Sequence, residues 1–468
     1  MDKVKLLIPL MIAGAMNTVD TSSTNVAMTS FAEYFELPLQ TVSWISSTYL
    51  LVLASLLLTS GRFGDIFGYD KPFKAGLFIF TMGTALCSIA PNFAFLLAAR
   101  AVEAVGASLI LAAIPALITA TFPPEERGKA MSFYVISVSI GLITGPSIGG
   151  LILSRFSWRY IYLINVPLGI IGVLTSIWAI PKDAKKGGKG FDCAGTLLTL
   201  IFLGSLLYYL NRGSYIGWFS QQGIALVVMS LISFAAFIYV EKKIPEPMLD
   251  LKLFTNKVFV GGLVSNFLYF VAQFIMVFLA PILLTAAKYP SQVVGFTVIA
   301  FPAAMLFFAP VGGQLSDRAN PNVVSAIGAA IAGLSVLLIG TMSPTSFSNL
   351  ELLWRMIVFG IGGGLFETSN SVVVLSNAPD RMRGVASGTL AMVRNTGMVF
   401  GTAIGSTLSS LRSEYYSQAI VTPIDAVDVA TIKGIQDVHM LAFILAMVAA
   451  LVAFMGSKAC KSKEDIVN

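Results

Sequence analysis

The chain has 468 residues, of which 56% are hydrophobic and only 12% are charged, and its mean hydropathy is +0.82. Soluble domains carry roughly 25% charged residues, so this composition excludes a soluble globular protein. The net charge of +6 does not call for a nucleic-acid partner, because basic loops beside membrane helices and their attraction to anionic headgroups account for it. We expect membrane lipids, and no nucleic acid, as partners.

Apolar blocks of about 20 residues, the length that crosses a bilayer as a helix, recur along the whole chain. Lipid offers no partner to backbone N–H and C=O groups, so helices are the expected spanning element. Most of the 30 Lys and Arg residues fall in segments on the side of the N-terminus, which predicts two cytoplasmic termini and a retained first span. The fourteen predicted spans are 5–30, 42–61, 73–91, 94–121, 129–153, 159–181, 192–211, 221–241, 255–287, 291–315, 322–342, 351–376, 384–411 and 438–457.

The spans group as six, two and six, and an internal repeat agrees with this grouping. Aligning Arg127-Gly128 with Arg383-Gly384 brings three glycines of span 5 onto three glycines of span 13 at a constant offset of 256 residues. The pairs are Gly141 with Gly397, Gly145 with Gly401 and Gly149 with Gly405. Duplicated halves are typical of transporters. We therefore predict an all-α polytopic membrane protein with a six-helix bundle at 1–181, a linker with two extra, peripheral transmembrane helices at 182–254, and a second six-helix bundle at 255–468.

A Gly-x-x-x-Asp motif follows span 2 as Gly61 to Asp65 and follows span 10 as Gly313 to Asp317. Gly allows a tight turn where two helices approach. The Asp side chain can cap the next helix, or pair with an Arg or with the positive end of a nearby helix. One interpretation is an ordinary capped turn. The other, favoured because the motif occurs twice, is a latch that gates the cytoplasmic side.

Nine motifs occur in a characteristic order along nearly the whole chain. They are Val19-Asp20…Asn25-Val26-Ala27, Trp44-Ile-Ser-Ser-Thr-Tyr49, Gly61…Asp65…Gly68, Arg100…Gly106, Gly141 to Gly150, Trp158-Arg159…Asn165-Val-Pro167-Leu-Gly169, Phe191-Asp192…Gly195, Gly213…Gly217-Trp218 and Leu249-Asp250…Phe254. Together they resemble the motifs of the major facilitator superfamily, and within it of the fourteen-span drug:proton antiporters.

This resemblance implies alternating access around a central cavity, driven by the proton gradient, with no cofactor. It implies gating by the first cytoplasmic loop and by an antiporter motif that seals the two halves. With Asp317 from the repeated Gly-x-x-x-Asp motif, the predicted gating residues are Gly61, Asp65, Gly68, Gly141, Gly145, Pro146, Gly149, Gly150 and Asp317. The first-span motif is more polar than usual at Ser22, Ser23 and Thr24, and Glu103 stands where Gln is usual, which leaves the substrate type open.

Ionisable residues at lipid depth cost about 2.5–3.5 kcal/mol each on insertion scales, so we interpret them as functional. The predicted set is Asp20, Arg100, Glu103, Arg355, Glu367 and Arg394. Arg355 lies near a span end and is expected to snorkel. Arg100 and Glu103 are one helical turn apart and share a face. They form either a self-neutralising structural pair or a proton switch.

Asp20 lies deep in span 1 with no basic residue within one turn, while Ser23 and Thr24 lie on its face. Without a partner its carboxylate is expected to be partly protonated, as proton exchange requires. The family resemblance also implies a functional acid at this position. The alternative is a hydrogen-bonded acid that only fixes helix packing.

Glu367 follows the run Gly360–Gly364 in span 12, which predicts a flexible helix that lines a cavity. This acid would bind a cationic compound or carry a proton. The alternative is a structural partner of Arg394, which shares a helix face with Gly397 and Gly401. With Asp20 and Glu103, Glu367 completes the predicted set of proton-coupling acids.

The predicted substrate-binding residues are polar or aromatic side chains on faces that can line a cavity. They are Asn25, Tyr49, Asn266, Phe270, Gln273, Phe274, Glu367 and Asn370. For the aromatic residues, helix packing or lipid contact is an equal alternative. His439, at the start of span 14, is expected to be solvated or interfacial.

The sequence predicts a proton-coupled exporter of lipophilic, cationic compounds in the cell membrane, acting as a monomer. One alternative is a proton-coupled importer or facilitator of a small polar metabolite; another is a scaffold that transports nothing. An enzyme is not expected, because no nucleophile–base set or phosphate loop stands out. No metal site is expected, since Cys87, Cys193 and Cys460 do not have metal-ligand spacing.

Overall fold

The computed structural model describes residues 3–181, 192–244, 249, 251–342, 348–419 and 426–467. Within these ranges it contains seventeen α-helices and no strand, so the predicted all-α class is confirmed. Three short 3-10 helices cover Pro124–Glu126, Leu251–Thr255 and Asp380–Met382. The predicted Lys185–Lys189 linker and two motif residues, Phe191 and Asp250, lie outside the described residues.

The first of two compact units comprises Met1–Thr255 and Leu375–Met392. Within it, α10 packs against α4, and the hydroxyls of Thr59 and Thr196 lie 3.5 Å apart. The helices that lie wholly in this unit are α1 (Lys3–Val26), α2 (Met28–Phe35), α3 (Leu39–Val42), α4 (Trp44–Phe67), α5 (Asp70–Ser88), α6 (Phe93–Thr121), α7 (Arg127–Arg155), α8 (Arg159–Leu163), α9 (Asn165–Ala179), α10 (Cys193–Ile216) and α11 (Gln221–Lys243).

The second unit comprises Asn256–Val374 and Val393–Asn468. Its helices are α12 (Lys257–Ala286), α13 (Ser291–Arg318), α14 (Pro321–Gly340), α15 (Asn349–Ser376), α16 (Arg383–Ala419) and α17 (Ala426–Val467). The end of α15 and the start of α16 belong to the first unit. The predicted domain boundaries at 181/182 and 254/255 stay a prediction.

Eleven helices of the described part of the chain are long and apolar enough to cross a membrane. The other three predicted spans correspond to α5, α10 and α16. The first of these begins with the charged residues Asp70 and Lys71, the apolar part of α10 is shorter, and α16 is rich in Gly, Ser and Thr. The membrane character is therefore shown, while the count of fourteen spans stays a prediction.

The glycines of the predicted antiporter motif bring α7 close to α1. A Cβ on Gly141 would lie 2.8 Å from the carbonyl oxygen of Ala15, and a Cβ on Gly145 would collide with Ser22. The Ser23 hydroxyl donates to the Gly145 carbonyl at 2.8 Å. Small residues let membrane helices approach in this way. The polar serines of the first-span motif are thus part of the α1–α7 interface.

The repeat glycines have the same role in the second unit, where α16 packs against α12. A Cβ on Gly397 would lie 2.9 Å from the carbonyl oxygen of Phe267, and a Cβ on Gly401 would lie 2.5 Å from that of Val271. Gly150 is different, since it is exposed and nothing lies within 4 Å of an added Cβ. One residue beyond Gly149, Gly150 points away from α1, and its predicted gating role stays a prediction.

This contrast gives a matched test within one helix. Gly141→Ala is expected to destabilise the protein by about 1–3 kcal/mol, because a rigid backbone carbonyl must move. Gly150→Ala is expected to be neutral or to stabilise α7 by up to about 1 kcal/mol, because Ala favours a helix. Thermal unfolding of the two purified variants in detergent checks this. Equal unfolding temperatures would contradict the assigned packing faces.

Candidate functional site

The charged residues predicted in spans 1 and 4 form one buried triad in the first unit. Nη1 of Arg100 lies 2.6 Å from Oδ2 of Asp20 and 2.7 Å from Oε2 of Glu103. All three side chains have no exposed surface. The expectation that Asp20 has no partner was wrong, because its partner stands 80 residues away on α6 and only helix packing brings the two together.

Two carboxylates share one guanidinium in this triad. If all three groups are ionised, the buried cluster carries one net negative charge, which is costly without further compensation. One proton on either carboxylate would make the cluster neutral. The arrangement can therefore take up and release a single proton, on a carboxyl group that already contacts Arg100.

Aromatic and polar side chains complete the surroundings of the triad. The Cζ atom of Arg100 lies 4.3 Å from the ring centre of Tyr49, a cation–π contact. Nδ2 of Asn17 donates to the Tyr49 hydroxyl at 2.5 Å. Tyr49 is 1% exposed, so the structure places this predicted substrate contact against Arg100.

Three further residues at the triad were missing from the sequence prediction. Asn17 lies one turn before Asp20 on α1, Nδ2 of Asn165 lies 3.5 Å from Oδ1 of Asp20, and the Cys87 thiol donates to Glu103 at 3.6 Å. Asn165 was visible as part of the Trp158–Gly169 motif, and the polar Asn17 was visible one turn from an acid. No sequence pattern distinguished Cys87 from an ordinary core cysteine.

In the second unit, predicted substrate-binding residues meet along a seam between α12 and α15. Nε2 of Gln273 donates to Oε1 of the partly buried Glu367 at 3.4 Å. The rings of Tyr269 and Phe366 stack with centres 3.9 Å apart. We call these side chains, together with Asn266 and Asn370, the α12–α15 seam.

The seam has an unusual number of buried polar atoms without a protein partner. Asn266 and Asn370 are 3% and 1% exposed, and Oδ1 of Asn266 and Nδ2 of Asn370 make no hydrogen bond. Oε1 of Gln273 and the hydroxyl of Tyr269 are also buried and make no hydrogen bond. Such groups are expensive to leave unpaired, so the seam can offer both donors and acceptors to a bound molecule.

Arg394 and the remaining aromatic candidates lie beside this seam. The Cζ atom of Arg394 is 5.8 Å from the ring centre of Phe270, and its charge is close enough to attract that of Glu367. The Cβ atoms of Phe270 and Phe274 lie close to Gly397 and Gly401. Both residues therefore lie on the α12–α16 packing surface, and their predicted contact with substrate stays a prediction.

The glycine run of α15 serves close packing on two sides. An added Cβ on Gly364 would lie 2.7 Å from the backbone N of Ala309 on α13, and one on Gly362 would lie 2.6 Å from the backbone N of Ala332 on α14. An added Cβ on Gly363 would lie 2.9 Å from the Tyr269 hydroxyl. The glycines thus hold Glu367 in a tightly packed helix, and the predicted flexibility of this helix stays a prediction.

Asp65 lies at the N-terminus of α16. Its Oδ1 accepts the backbone N–H of Gly384 at 2.8 Å, and its Oδ2 accepts that of Val385 at 2.9 Å. A carboxylate at this position is favoured by unpaired N–H groups and by the helix dipole. The Tyr69 hydroxyl also donates to Oδ1 at 2.8 Å. Burial, together with the Asp65 charge, raises the pKa of Tyr69, which keeps this donor protonated.

Glycines make this contact possible. Gly61 approaches the carbonyl of Gly384 so closely that neither residue has room for a Cβ. Gly68 ends α4 at φ 85°, where L side chains are strained. Asp317, the counterpart of Asp65, is partly buried at the end of α13. A gating role for these residues, and for Pro146 inside α7, stays a prediction.

Two further predicted positions differ in their surroundings. Asn25 is exposed near the end of α1, where it accepts a hydrogen bond from Ser46 at 3.0 Å. His439 is fully buried, with Nδ1 2.8 Å from the carbonyl oxygen of Ile435, so the expectation of a solvated side chain was wrong. The reason is that α17 begins at Ala426, which places His439 more than three turns inside a helix that packs on α14.

Buried charges between membrane helices are a feature of membrane transporters, where such residues mark functional sites. The profile of the Major Facilitator Superfamily matches residues 10–402. The chain belongs to the major facilitator superfamily.

Relatives agree with this assignment. Riboflavin transporter RibZ of Clostridioides difficile is 32% identical over 405 residues, which cover 86% of this chain and 87% of that protein. Multidrug resistance protein Stp of Mycobacterium tuberculosis is 27% identical over 416 residues, which cover 87% and 76%. The solved structure of the proton:xylose symporter XylE has a TM-score of 0.68 at 14% identity and covers 97% of this chain and 95% of that one. The likeness to XylE concerns the fold alone.

Proposed function

We propose that this transporter is a proton-coupled antiporter that exports lipophilic, cationic compounds from the cytoplasm across the cell membrane. The Asp20–Arg100–Glu103 triad carries the proposal, because one proton makes this buried cluster of two carboxylates and one guanidinium neutral. Gly141 and Gly145 of the antiporter motif pack α7 closely against α1 beside Asp20. This close packing supports the exchange of protons for substrate over a leak of protons. The multidrug resistance protein among the relatives is consistent with this substrate class.

The test is transport by the purified protein in proteoliposomes under an imposed pH gradient. A panel of lipophilic cations, neutral lipophilic compounds and polar metabolites defines the substrate class. Accumulation of cations that follows the pH gradient, with matching proton movement in the opposite direction, is the expected result. Accumulation in the same direction as the protons would instead mean symport.

A second candidate is transport of a small polar metabolite, and the α12–α15 seam favours it. The amides of Asn266, Gln273 and Asn370 each have one atom without a protein partner, and such atoms suit a ligand with several polar groups. A relative named as a riboflavin transporter is consistent with a flavin in that role. Riboflavin therefore belongs in the panel, and saturable riboflavin transport with no cation transport would favour this candidate.

The seam gives a prediction about substrate charge. Glu367→Gln keeps the shape of the side chain and removes the charge that a lipophilic cation would meet in a low-dielectric site. We expect affinity for cations to fall about tenfold or more, which corresponds to about 1.4 kcal/mol, while neutral substrates keep their affinity. The measurement is ligand binding to the purified variant.

The matched control for this prediction is Glu351→Gln on the same helix, where the acid is exposed and pairs with Arg355 at 2.9 Å. It is expected to bind all substrates as the unaltered protein does. An equal loss for neutral and cationic compounds in Glu367→Gln would mean that Glu367 is a structural partner of Arg394.

The orientation of the chain is also a proposal. The distribution of basic residues supports two cytoplasmic termini and a cytoplasmic linker at Lys185–Lys189. Membrane-impermeant thiol reagents applied to intact cells test it with single cysteines placed in that linker. Labelling from outside would overturn the orientation.

A further inference from the structure

The two acids of the buried triad contact each other as well as Arg100. Oδ2 of Asp20 and Oε2 of Glu103 lie 2.6 and 2.7 Å from the same guanidinium nitrogen. The two acid side chains are also in hydrogen-bond contact with each other. Two ionised carboxylates offer acceptors and no donor. A hydrogen bond between them therefore requires that one of the two acids carries a proton.

The hydrogen-bond donors around the triad are distributed unequally between the two acids. Asp20 meets an N–H donor at each oxygen, with Arg100 at Oδ2 and Nδ2 of Asn165 3.5 Å from Oδ1. Glu103 receives both of its donors, Arg100 and the Cys87 thiol, at Oε2. Its Oε1 is buried and accepts no hydrogen bond from the described residues. Donors at both oxygens stabilise the ionised form of Asp20, whereas an ionised Glu103 has one buried oxygen without a donor.

The other ionisable side chains that interact with the triad are Tyr49 on α4, Cys87 on α5 and Tyr162 on α8. Free Cys and Tyr titrate at about 8.5 and about 10, so near neutral pH these groups already carry their protons. Arg100 keeps its positive charge, because a guanidinium does not lose its proton in proteins. The proton that neutralises the triad therefore binds to one of the two carboxylates.

We propose that Glu103 is the acid that takes up this proton, and that Asp20 stays ionised as the counter-ion of Arg100. In the uptake step an O–H bond forms on Glu103, and the cluster changes from one net negative charge to neutral. The new O–H donates a hydrogen bond to Asp20. On release this O–H bond breaks, the proton leaves, and the negative charge of the cluster returns.

Infrared spectroscopy of the purified protein can identify the protonated acid without a transport measurement. A protonated carboxyl has a C=O band apart from the carboxylate bands, and ¹³C in the carboxyl lowers its frequency. Cell-free synthesis supplies ¹³C in the side-chain carboxyl of either glutamate or aspartate, in a Glu367→Gln background so that this acid does not contribute. The band that disappears in Glu103→Gln is expected to shift with labelled glutamate and to stay in place with labelled aspartate. A band that shifts with labelled aspartate, or no such band, would overturn the proposal.

The Cys87 thiol gives a second readout that leaves the triad unaltered. Its S–H group donates to Oε2 of Glu103, and the S–H stretching band lies in a region free of other protein bands. With Cys193 and Cys460 replaced by serine, only this thiol contributes. The band is expected to move to lower frequency as rising pH ionises Glu103, because a charged acceptor makes a stronger hydrogen bond.

Asp20→Asn is the matched control for the thiol measurement. In this variant Glu103 stays ionised against Arg100, so the S–H band is expected at its low-frequency position at every pH. An S–H band of the unaltered triad that also stays at this position at every pH would mean that Glu103 is always ionised. That result would overturn the proposal and leave Asp20 as the proton carrier.

The link to transport rests on the proposed function. Cys87→Ser places a stronger donor against Glu103 and stabilises its ionised form, so the pH profile of driven accumulation is expected to shift to lower pH. Ser88→Ala is the control, since this neighbouring hydroxyl donates to the Ala85 carbonyl, and its pH profile is expected to be unchanged. Equal profiles in Cys87→Ser and the unaltered protein would overturn the role of Glu103 in transport. An unaltered protein without pH-driven transport would refute the proposed function, while the infrared bands would still decide which acid is protonated.

Discussion

Replacing Arg100 by leucine is expected to destabilise the protein more than any other single change in the membrane-spanning helices. The substitution leaves Asp20 and Glu103 buried without the cation that lies 2.6 and 2.7 Å from them. Removing one partner of a buried ion pair costs about 3–5 kcal/mol, because the remaining charge is uncompensated. The expected result is a large fall in the unfolding temperature of the purified protein in detergent.

Two comparison variants separate the effect of charge from the effect of lost packing. Arg355→Leu removes a cation from a partly exposed pair with Glu351, and such pairs are worth about 0.3–0.5 kcal/mol. The triple variant Asp20→Asn, Arg100→Leu, Glu103→Gln removes all three charges and is expected to recover most of the lost stability. A triple variant as unstable as Arg100→Leu would show that the contacts of the arginine with Tyr49 and the core matter more than the ion pairs.

The Asp20→Asn variant is expected to lose proton-driven transport and to keep downhill transport. The change leaves Arg100 paired with Glu103, a neutral pair that has no need of a proton. Substrate can still cross by alternating access, since the helices and their packing are unchanged. Proteoliposome assays with and without a pH gradient measure both activities, and we expect accumulation against a substrate gradient to fall to the level of empty vesicles.

Glu103→Gln is the informative partner of this variant. Glu103→Gln leaves the Arg100–Asp20 pair, which is also neutral. The variant therefore tests whether proton coupling depends on one particular carboxylate or on the net negative charge that both carboxylates create. Loss of coupling in both variants would assign the proton to the triad as a whole. Coupling at the wild-type level in Asp20→Asn would remove Asp20 from the mechanism.

The sequence predicted the fold well because the fold depends on local and periodic features. Apolar blocks of membrane length mark the helices, and the repeated glycines at Gly141 and Gly397 mark two equivalent packing faces that the structure contains. The motif of Gly61 and Asp65 identified a residue that meets a helix N-terminus. Each of these features is contained in a short stretch of sequence, so the spacing of residues alone is enough to recognise it.

The candidate site was harder to predict because its contacts join distant parts of the chain. Asp20 and Arg100 are 80 residues apart, so a search within one helical turn found no partner for the acid. Helix faces were also assigned from periodicity without knowledge of the neighbours. His439 was expected to be solvated or interfacial because the last span was predicted to begin at residue 438, whereas α17 begins at Ala426.

The close packing of α16 on α12 also bears on how the protein is assembled in the membrane. Because α16 is rich in Gly, Ser and Thr, the free energy of transferring this helix alone into lipid is only weakly favourable. Gly397 and Gly401 make their close contacts only when α12 lies beside them. Synthesis from the N-terminus delivers α12 first, so α16 meets its partner as it leaves the ribosome and the insertion machinery. The order of the two helices along the chain therefore means that the packing surface of α12 already exists when α16 is made, and this packing compensates for the weakly apolar character of α16.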